Sequence, residues 1–223
     1  MIIEARGLTR SYAEICALKP LQLQVPEGEW LTVMGHSGSG KSTLLNLMGG
    51  LDRPSAGTIQ VGGVDLASLD ENGLARFRRE WIGIIFQQHH LVPYLTALEN
   101  VMMAQYFHSV TDEAEARAAL ERVGLGNRLR NRPGELSGGE QQRVCIARSI
   151  INSPRILLGD EPTGNLDHQN TRMVLELLRE LRDQEKFTIV LVTHNSEVAA
   201  WGDRTIFMDD GVVVRDEPRG APA

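Results

Sequence analysis

The fold open to this chain is constrained first by the run Gly35-His36-Ser37-Gly38-Ser39-Gly40-Lys41-Ser42, which fits the phosphate-loop pattern G-x-x-x-x-G-K-[ST]. Glycines at this spacing let the backbone curl so that successive N–H groups face one anion. The arrangement works only between a strand and a helix, whose first turn adds its positive dipole end. Both neighbours are present. Trp30-Leu31-Thr32-Val33-Met34 is a short apolar run suited to a strand buried on both faces, and residues 42–48 read as a helix. Lys41 supplies a mobile cation for β and γ phosphates, and the Ser42 hydroxyl suits a magnesium ion. A flexible Gly/Ser turn is the bland alternative, and the strand–loop–helix context argues against it.

The remaining pattern extends this unit. Leu21-Gln22-Leu23-Gln24-Val25 alternates as a strand with one wet face, and Gly62-Gly63 joins two short strands in a hairpin. From residue 88 to 153 the periodicity turns helical, with a helix over 111–123 ending at Gly124. Strand, helix and strand return at 155–158, 172–182 and 187–192, and a hairpin closes over Asp209-Asp210-Gly211. Strands alternating with helices argue for an α/β fold with a parallel-sheet core. The expected division is one domain, 1–223. Its core covers 1–87 and 154–223 with an antiparallel β annex, and an α-helical lobe is inserted at 88–153. The tail from Pro218 to Ala223 is expected to fray.

Composition removes several classes of function. The 223 residues suffice for one domain or a domain with a lobe. A net charge of −6 disfavours a polycation that coats nucleic acid or anionic lipid. Two cysteines, Cys16 and Cys145, cannot form a disulfide scaffold and suit a reducing, cytoplasmic setting. No apolar run is long enough to span a bilayer, and the N-terminus lacks the layout of a signal peptide. Any link to a membrane is therefore expected through another chain.

Two further sites carry chemistry. Asp160 and Glu161 follow an apolar strand, at the edge where open α/β sheets bind ligands. Asp160 can hold Mg²⁺, and Glu161 can orient and deprotonate an attacking water. Leu136-Ser137-Gly138-Gly139-Glu140-Gln141-Gln142-Arg143 contains a capping box, Ser137 with Glu140. A cap does not need two consecutive glycines. Bare backbone at a helix start admits a bulky anion, so the chain carries a second phosphate-attracting helix end.

These motifs, in this order, resemble the nucleotide-binding subunit of an ATP-binding cassette transporter. The resemblance covers nearly the whole chain. It includes the loop from Gly35 to Thr43, Gln87 after Ile84-Ile85-Phe86, the signature at 136–143, Asp160-Glu161, Asn165-Leu166-Asp167, and His194 after Val192-Thr193. It implies a P-loop NTPase core of RecA-like type that hydrolyses ATP with Mg²⁺. It also implies a head-to-tail homodimer with two shared sites. ATP would then lie between Gly35, His36, Ser37, Gly38, Ser39, Gly40, Lys41, Ser42 and Thr43 of one copy and Ser137, Gly138, Gly139 and Gln141 of the other. Tyr12 would stack on adenine, Gln87 would reach the magnesium and the water, His194 would hold the water at the γ-phosphate, and Asp167 would link the two sites. Ser42, Gln87 and Asp160 would be the metal ligands.

The residues around 82–87 and 160–167 most resemble the lipoprotein-release, macrolide-efflux and cell-division branch. That branch implies a permease with four transmembrane helices and a place at the cytoplasmic face of a bacterial inner membrane, with no nucleic acid as partner. A soluble iron–sulfur assembly ATPase is the rival. Four features stand outside these assignments. His89-His90 could suggest a metal, but the adjacent rings diverge and a solvated loop is the expected state. Cys145 is expected to pack as a small hydrophobe, and Gly159 to loosen its strand end. Apolar residues from Leu91 to Tyr106 form part of the lobe core, and by resemblance the groove that receives the permease.

Overall fold

The computed structural model describes residues 1–219. By its internal contacts the chain divides into two compact units, Met1–Arg78 with Phe187–Ala223, and Arg79–Lys186.

The first unit holds two sheets. An antiparallel sheet has the order β2 (Ile15–Val25), β1 (Ile3–Tyr12), β4 (Ala56–Val61), β5 (Val64–Asp65). This is the expected annex. Leu21, Leu23 and Val25 are buried while Gln22 and Gln24 are exposed, as their alternation requires. Pro20 interrupts β2, which tolerates it as the edge strand. Val61 faces Val64 across the Gly62-Gly63 turn.

In the second sheet, β3 (Trp30–Met34) lies between β8 (Thr188–Thr193) and β9 (Arg204–Asp209), parallel to both, and β10 (Val212–Pro218) adds antiparallel to β9. All six residues of β8 are buried, which accounts for the unbroken apolar run at 189–192 between its two threonines. Helix α1 (Lys41–Met48) follows β3, and the short α7 (Ser196–Ala199) follows β8. The tail departs from expectation. Pro218 pairs with Arg204, and the Arg219 amide donates to the Asp203 carbonyl at 2.6 Å, so a ladder holds what composition alone reads as frayed. Positions 220–223 lie outside the described residues.

Helix α2 (Glu71–Trp81), which has no counterpart in the sequence reading, leads into the second unit. There β6 (Ile82–Ile85) pairs in parallel with β7 (Ile156–Asp160). The expected lobe contains α3 (Ala97–His108), α4 (Glu113–Arg122) and α5 (Gly138–Ile150), and α6 (His168–Glu185) follows β7. The unit boundaries fall outside the expected 88–153, because α5 packs on both β6 and α6. Val174, Leu175, Leu178 and Leu181 form the buried stripe of α6. Each such side chain contributes about 1.5–3 kcal/mol over its exposed state. Gly124 stands at φ +74° just past α4, the left-handed stop its position implies.

Candidate functional site

The phosphate loop grows out of the register of the first unit. Met34 pairs with Thr193 on one side and Phe207 on the other. Gly35 and His194 therefore leave the same C-terminal edge of the parallel strands, where open α/β sheets bind ligands. Gly35, Gly38 and Gly40 have φ of 154°, 82° and 96°. Two of them are also required by packing. A Cβ on Gly35 would stand 2.3 Å from the Met208 carbonyl oxygen, and one on Gly40 2.6 Å from that of Ala17.

Helices α3, α4, α5, α6 and α7 each start with a capping residue, Thr96, Asp112, Ser137, Asp167 and Asn195 respectively, whose side-chain oxygen accepts from an amide of the first turn. Helix α1 starts at Gly40 with no side-chain cap and no acidic residue in its first turn. Its leading N–H groups, and the dipole behind them, are available to an external anion. Lys41 folds back over the loop, donating from Nζ to the His36 carbonyl at 2.7 Å and to Ser39 Oγ at 3.5 Å. Ser39 is buried within the loop, and Ser37 and Ser42 are exposed. This cradle of glycine backbone, uncapped helix and ammonium fits a polyphosphate.

Tyr12 closes β1 opposite Ile15. Its hydroxyl donates to Asp52 at 2.5 Å, and the Arg10 guanidinium lies over its ring at 4.5 Å. Arg10 also bridges to Asp52 at 2.7 Å, and both contacts hold the Asp52 carboxyl below its usual range against the opposing effect of burial. The aromatic is fixed in place, with a cation already on its ring.

In the second unit Asp160 ends β7 and Glu161 follows it at φ +48°. A left-handed non-glycine residue stores strain, and such residues concentrate at functional sites. The Glu161 carbonyl accepts from the Gly164 amide at 3.0 Å, turning the chain sharply. Asn165 Nδ2 then donates to the Gln87 carbonyl at 3.0 Å, so the loop after the acids is tied to the loop bearing Gln87. Gly159 is buried and paired with Ile85. The strand end is laddered rather than loose. Asp167 caps α6, accepting from the Asn170 amide at 2.7 Å and its side chain at 2.9 Å, which lowers its carboxyl pKa.

The capping box of the signature is present. Ser137 Oγ accepts from the Glu140 amide at 3.2 Å, and Glu140 accepts from the Ser137 amide at 2.8 Å. The two glycines have different reasons. A Cβ on Gly139 would stand 2.3 Å from Asn170 Oδ1, so the close approach of α6 demands it. A Cβ on Gly138 would meet nothing nearer than Leu166 at 3.9 Å. Gln141, expected on the nucleotide side, uses its carboxamide inward. Its Nε2 donates to the Pro133 and Leu136 carbonyls at 2.9 and 3.2 Å, and its Oε1 meets His89 Nδ1 at 3.0 Å.

His89 is thus not a solvated loop residue but a half-buried strut. Burial lowers its pKa. Arg148 donates to the His89 and His90 carbonyls at 2.9 and 2.8 Å, and Cys145 Sγ to that of His89 at 3.1 Å. Arg148 went unread because its partners are carbonyls, which leave no trace in a sequence. Among the described residues no group of three or more His, Cys, Asp or Glu side chains could hold a metal ion, and no helix is long and apolar enough to cross a membrane.

A family model described as ABC transporter matches residues 18–164. The chain is 47% identical over 222 residues to the lipoprotein-releasing system ATP-binding protein LolD of Geobacter metallireducens, covering 96% of this chain and 99% of that one. It is 48% identical over 221 residues to the macrolide export ATP-binding/permease protein MacB of Rhodopseudomonas palustris, but spans only 34% of that longer protein. The structure matches the dimeric, post-hydrolysis ATP-binding cassette MJ0796 bound to ADP and Pi with a TM-score of 0.90. Identity there is 38%, with 99% of this chain and 100% of the other covered. On its fold, its phosphate loop and these likenesses, the chain belongs to the ABC transporter family and is an ATP-binding cassette ATPase.

Proposed function

We propose that this chain is the ATPase subunit of a two-copy assembly that drives a separate permease, of the kind named in the lipoprotein-releasing and macrolide-export relatives. The permease would have four transmembrane helices, and the work would be export, extraction or mechanical transmission. The chain would sit at the cytoplasmic face of the inner membrane. The observation that carries the shared-site reading is Gly138. It is bare backbone at a helix N-terminus, and among the described residues no close packing requires a glycine there. A dimeric cassette holding ADP and Pi supports it.

In this reading the amides from Gly35 to Thr43 and the Lys41 ammonium hold the phosphates, and Tyr12 carries the adenine. Ser42, Gln87 and Asp160 offer hydroxyl, carboxamide and carboxylate oxygens, the hard donors that Mg²⁺ takes. When bound, that ion neutralises charge on the β and γ phosphate oxygens. Glu161 accepts the proton of the attacking water, and His194 holds that water against the γ-phosphate. Ser137, Gly138 and Gly139 of the second copy close over the γ-phosphate, Gln141 holds their turn, and Asp167 links the two sites. Tyr94, Tyr106 and Phe107, at 73%, 71% and 67% exposure, give the lobe an apolar surface for the permease.

Glu161→Gln tests the reading. It should keep ATP binding, slow turnover by roughly 10²–10⁴-fold, and elute as a dimer with ATP and Mg²⁺. Elution only as a monomer under those conditions refutes the shared site.

A further inference from the structure

The turn between β9 and β10, Asp209-Asp210-Gly211, grips the phosphate loop at more points than a hairpin requires. The Gly211 amide donates to the Ser39 carbonyl at 3.2 Å, and its carbonyl accepts from the Lys19 amide at 3.0 Å. Lys19 Nζ reaches Asp210 Oδ2 at 2.5 Å. His36 Nε2, from inside the loop, lies 2.7 Å from Asp209 Oδ1, and His36 Nδ1 lies 2.7 Å from the Ser37 carbonyl oxygen.

Both partners of the imidazole are acceptors. A neutral ring carries one N–H and one lone pair, so it would set that lone pair against an oxygen at hydrogen-bond distance. Only the imidazolium donates to both. We infer that His36 stands in the phosphate loop as an imidazolium latched to Asp209, and that this latch positions the loop for a nucleotide's phosphates. The inference rests on the nucleotide reading of that loop. His36 is then a positioning residue, and nucleotide affinity follows its titration.

The charges facing His36 are Asp209 and Asp210 on the turn and Lys41 on α1, with Lys19 of β2 already paired to Asp210. The Ser37 carbonyl and Asp209 raise the pKa of His36, and Lys41 opposes them. A raised folded-state pKa means the latch is intact below an ordinary histidine's range. It opens as pH rises through the higher value.

Ring ¹⁵N titration of the full chain without nucleotide tests the latch, with His36 assigned by the signals lost in His36→Gln. The expected midpoint lies above the ~6.5 of a free histidine and moves down in Asp209→Asn. A wild-type midpoint at or below that value overturns the latch, as does a midpoint unmoved in Asp209→Asn. Should Asp209→Asn fail to fold, the wild-type midpoint alone decides.

ADP affinity, read by calorimetry across the same pH range, should weaken by about two- to five-fold more in wild type than in His36→Gln, the range of an exposed ion pair. Identical profiles overturn the positioning role. The ring titration needs no nucleotide, so a chain that binds no ADP at any pH refutes the nucleotide reading while the titration still decides the latch.

Discussion

The two glycines of the signature make opposite predictions. At Gly139 a Cβ would lie 2.3 Å from Asn170 Oδ1, 2.7 Å from its Cγ and 3.3 Å from its Cβ. Three contacts along one side chain mean that Asn170 must swing away as a whole. Its Nδ2 then loses Asp167, a hydrogen bond to a carboxylate. Such overpacking costs about 1–3 kcal/mol, and the lost bond adds to it. The gain of about 0.5–1 kcal/mol from replacing a helical glycine offsets part. Gly139→Ala should therefore be destabilised by ~1–2 kcal/mol, lowering the melting temperature by about 2–8 °C for a chain of this size. At Gly138 the nearest atom is 3.9 Å away. Gly138→Ala should melt at or slightly above wild type, yet lose ATPase activity, because in the proposed shared site a methyl group would then stand where the γ-phosphate bound to the other copy would approach. Thermal melts and steady-state hydrolysis on both variants decide. Equal melting of Gly139→Ala and wild type refutes the α5–α6 packing argument. Full hydrolysis by Gly138→Ala refutes the close-approach argument.

Two predictions concern groups whose titration the fold alters. Burial pushes the Cys145 thiol up to about 11, whereas Cys16 is exposed. A thiol-disulfide reagent near neutral pH should count one fast thiol in the native chain and a second only after denaturation. Two fast thiols would contradict the burial. Glu99 and Glu140 accept the amides of Thr96 and Ser137, and both carboxyls are lowered from 4.5. A depressed folded-state pKa gives stability that is present above the unfolded value and lost as pH falls through the folded one. The caps' contribution to the melting temperature should be constant above about pH 4.5 and fall below it. The fall should be shallower when both residues are changed to glutamine, and an unchanged slope would remove the caps from the account.

What the sequence by itself determined is local. The phosphate loop, the Ser137–Glu140 box, the Gly62-Gly63 hairpin and the stop at Gly124 each depend on residues a few positions apart, so spacing alone reveals them. The parallel core was readable for a related reason, since a strand buried on both faces must be mostly apolar, as β3 and β8 are, with one and two threonines respectively. Helix α2 escaped because its apolar face has only Leu74 and Phe77 fully buried among charged residues.

The tertiary structure decided which of two like residues has which purpose. Gly138 and Gly139 are set apart by the approach of Asn170, and His89 and His90 by the bond of His89 to Gln141 and the edge-on packing of His90 against Phe86. His36 and Asp209 meet across 173 positions of sequence. Contacts of that kind follow from strand register and helix packing, and neither leaves a periodic mark on the residues that make them. Chemistry at one position is written in residue type. Chemistry shared between distant positions exists only once the chain has closed on itself, because it depends on distances that no composition encodes.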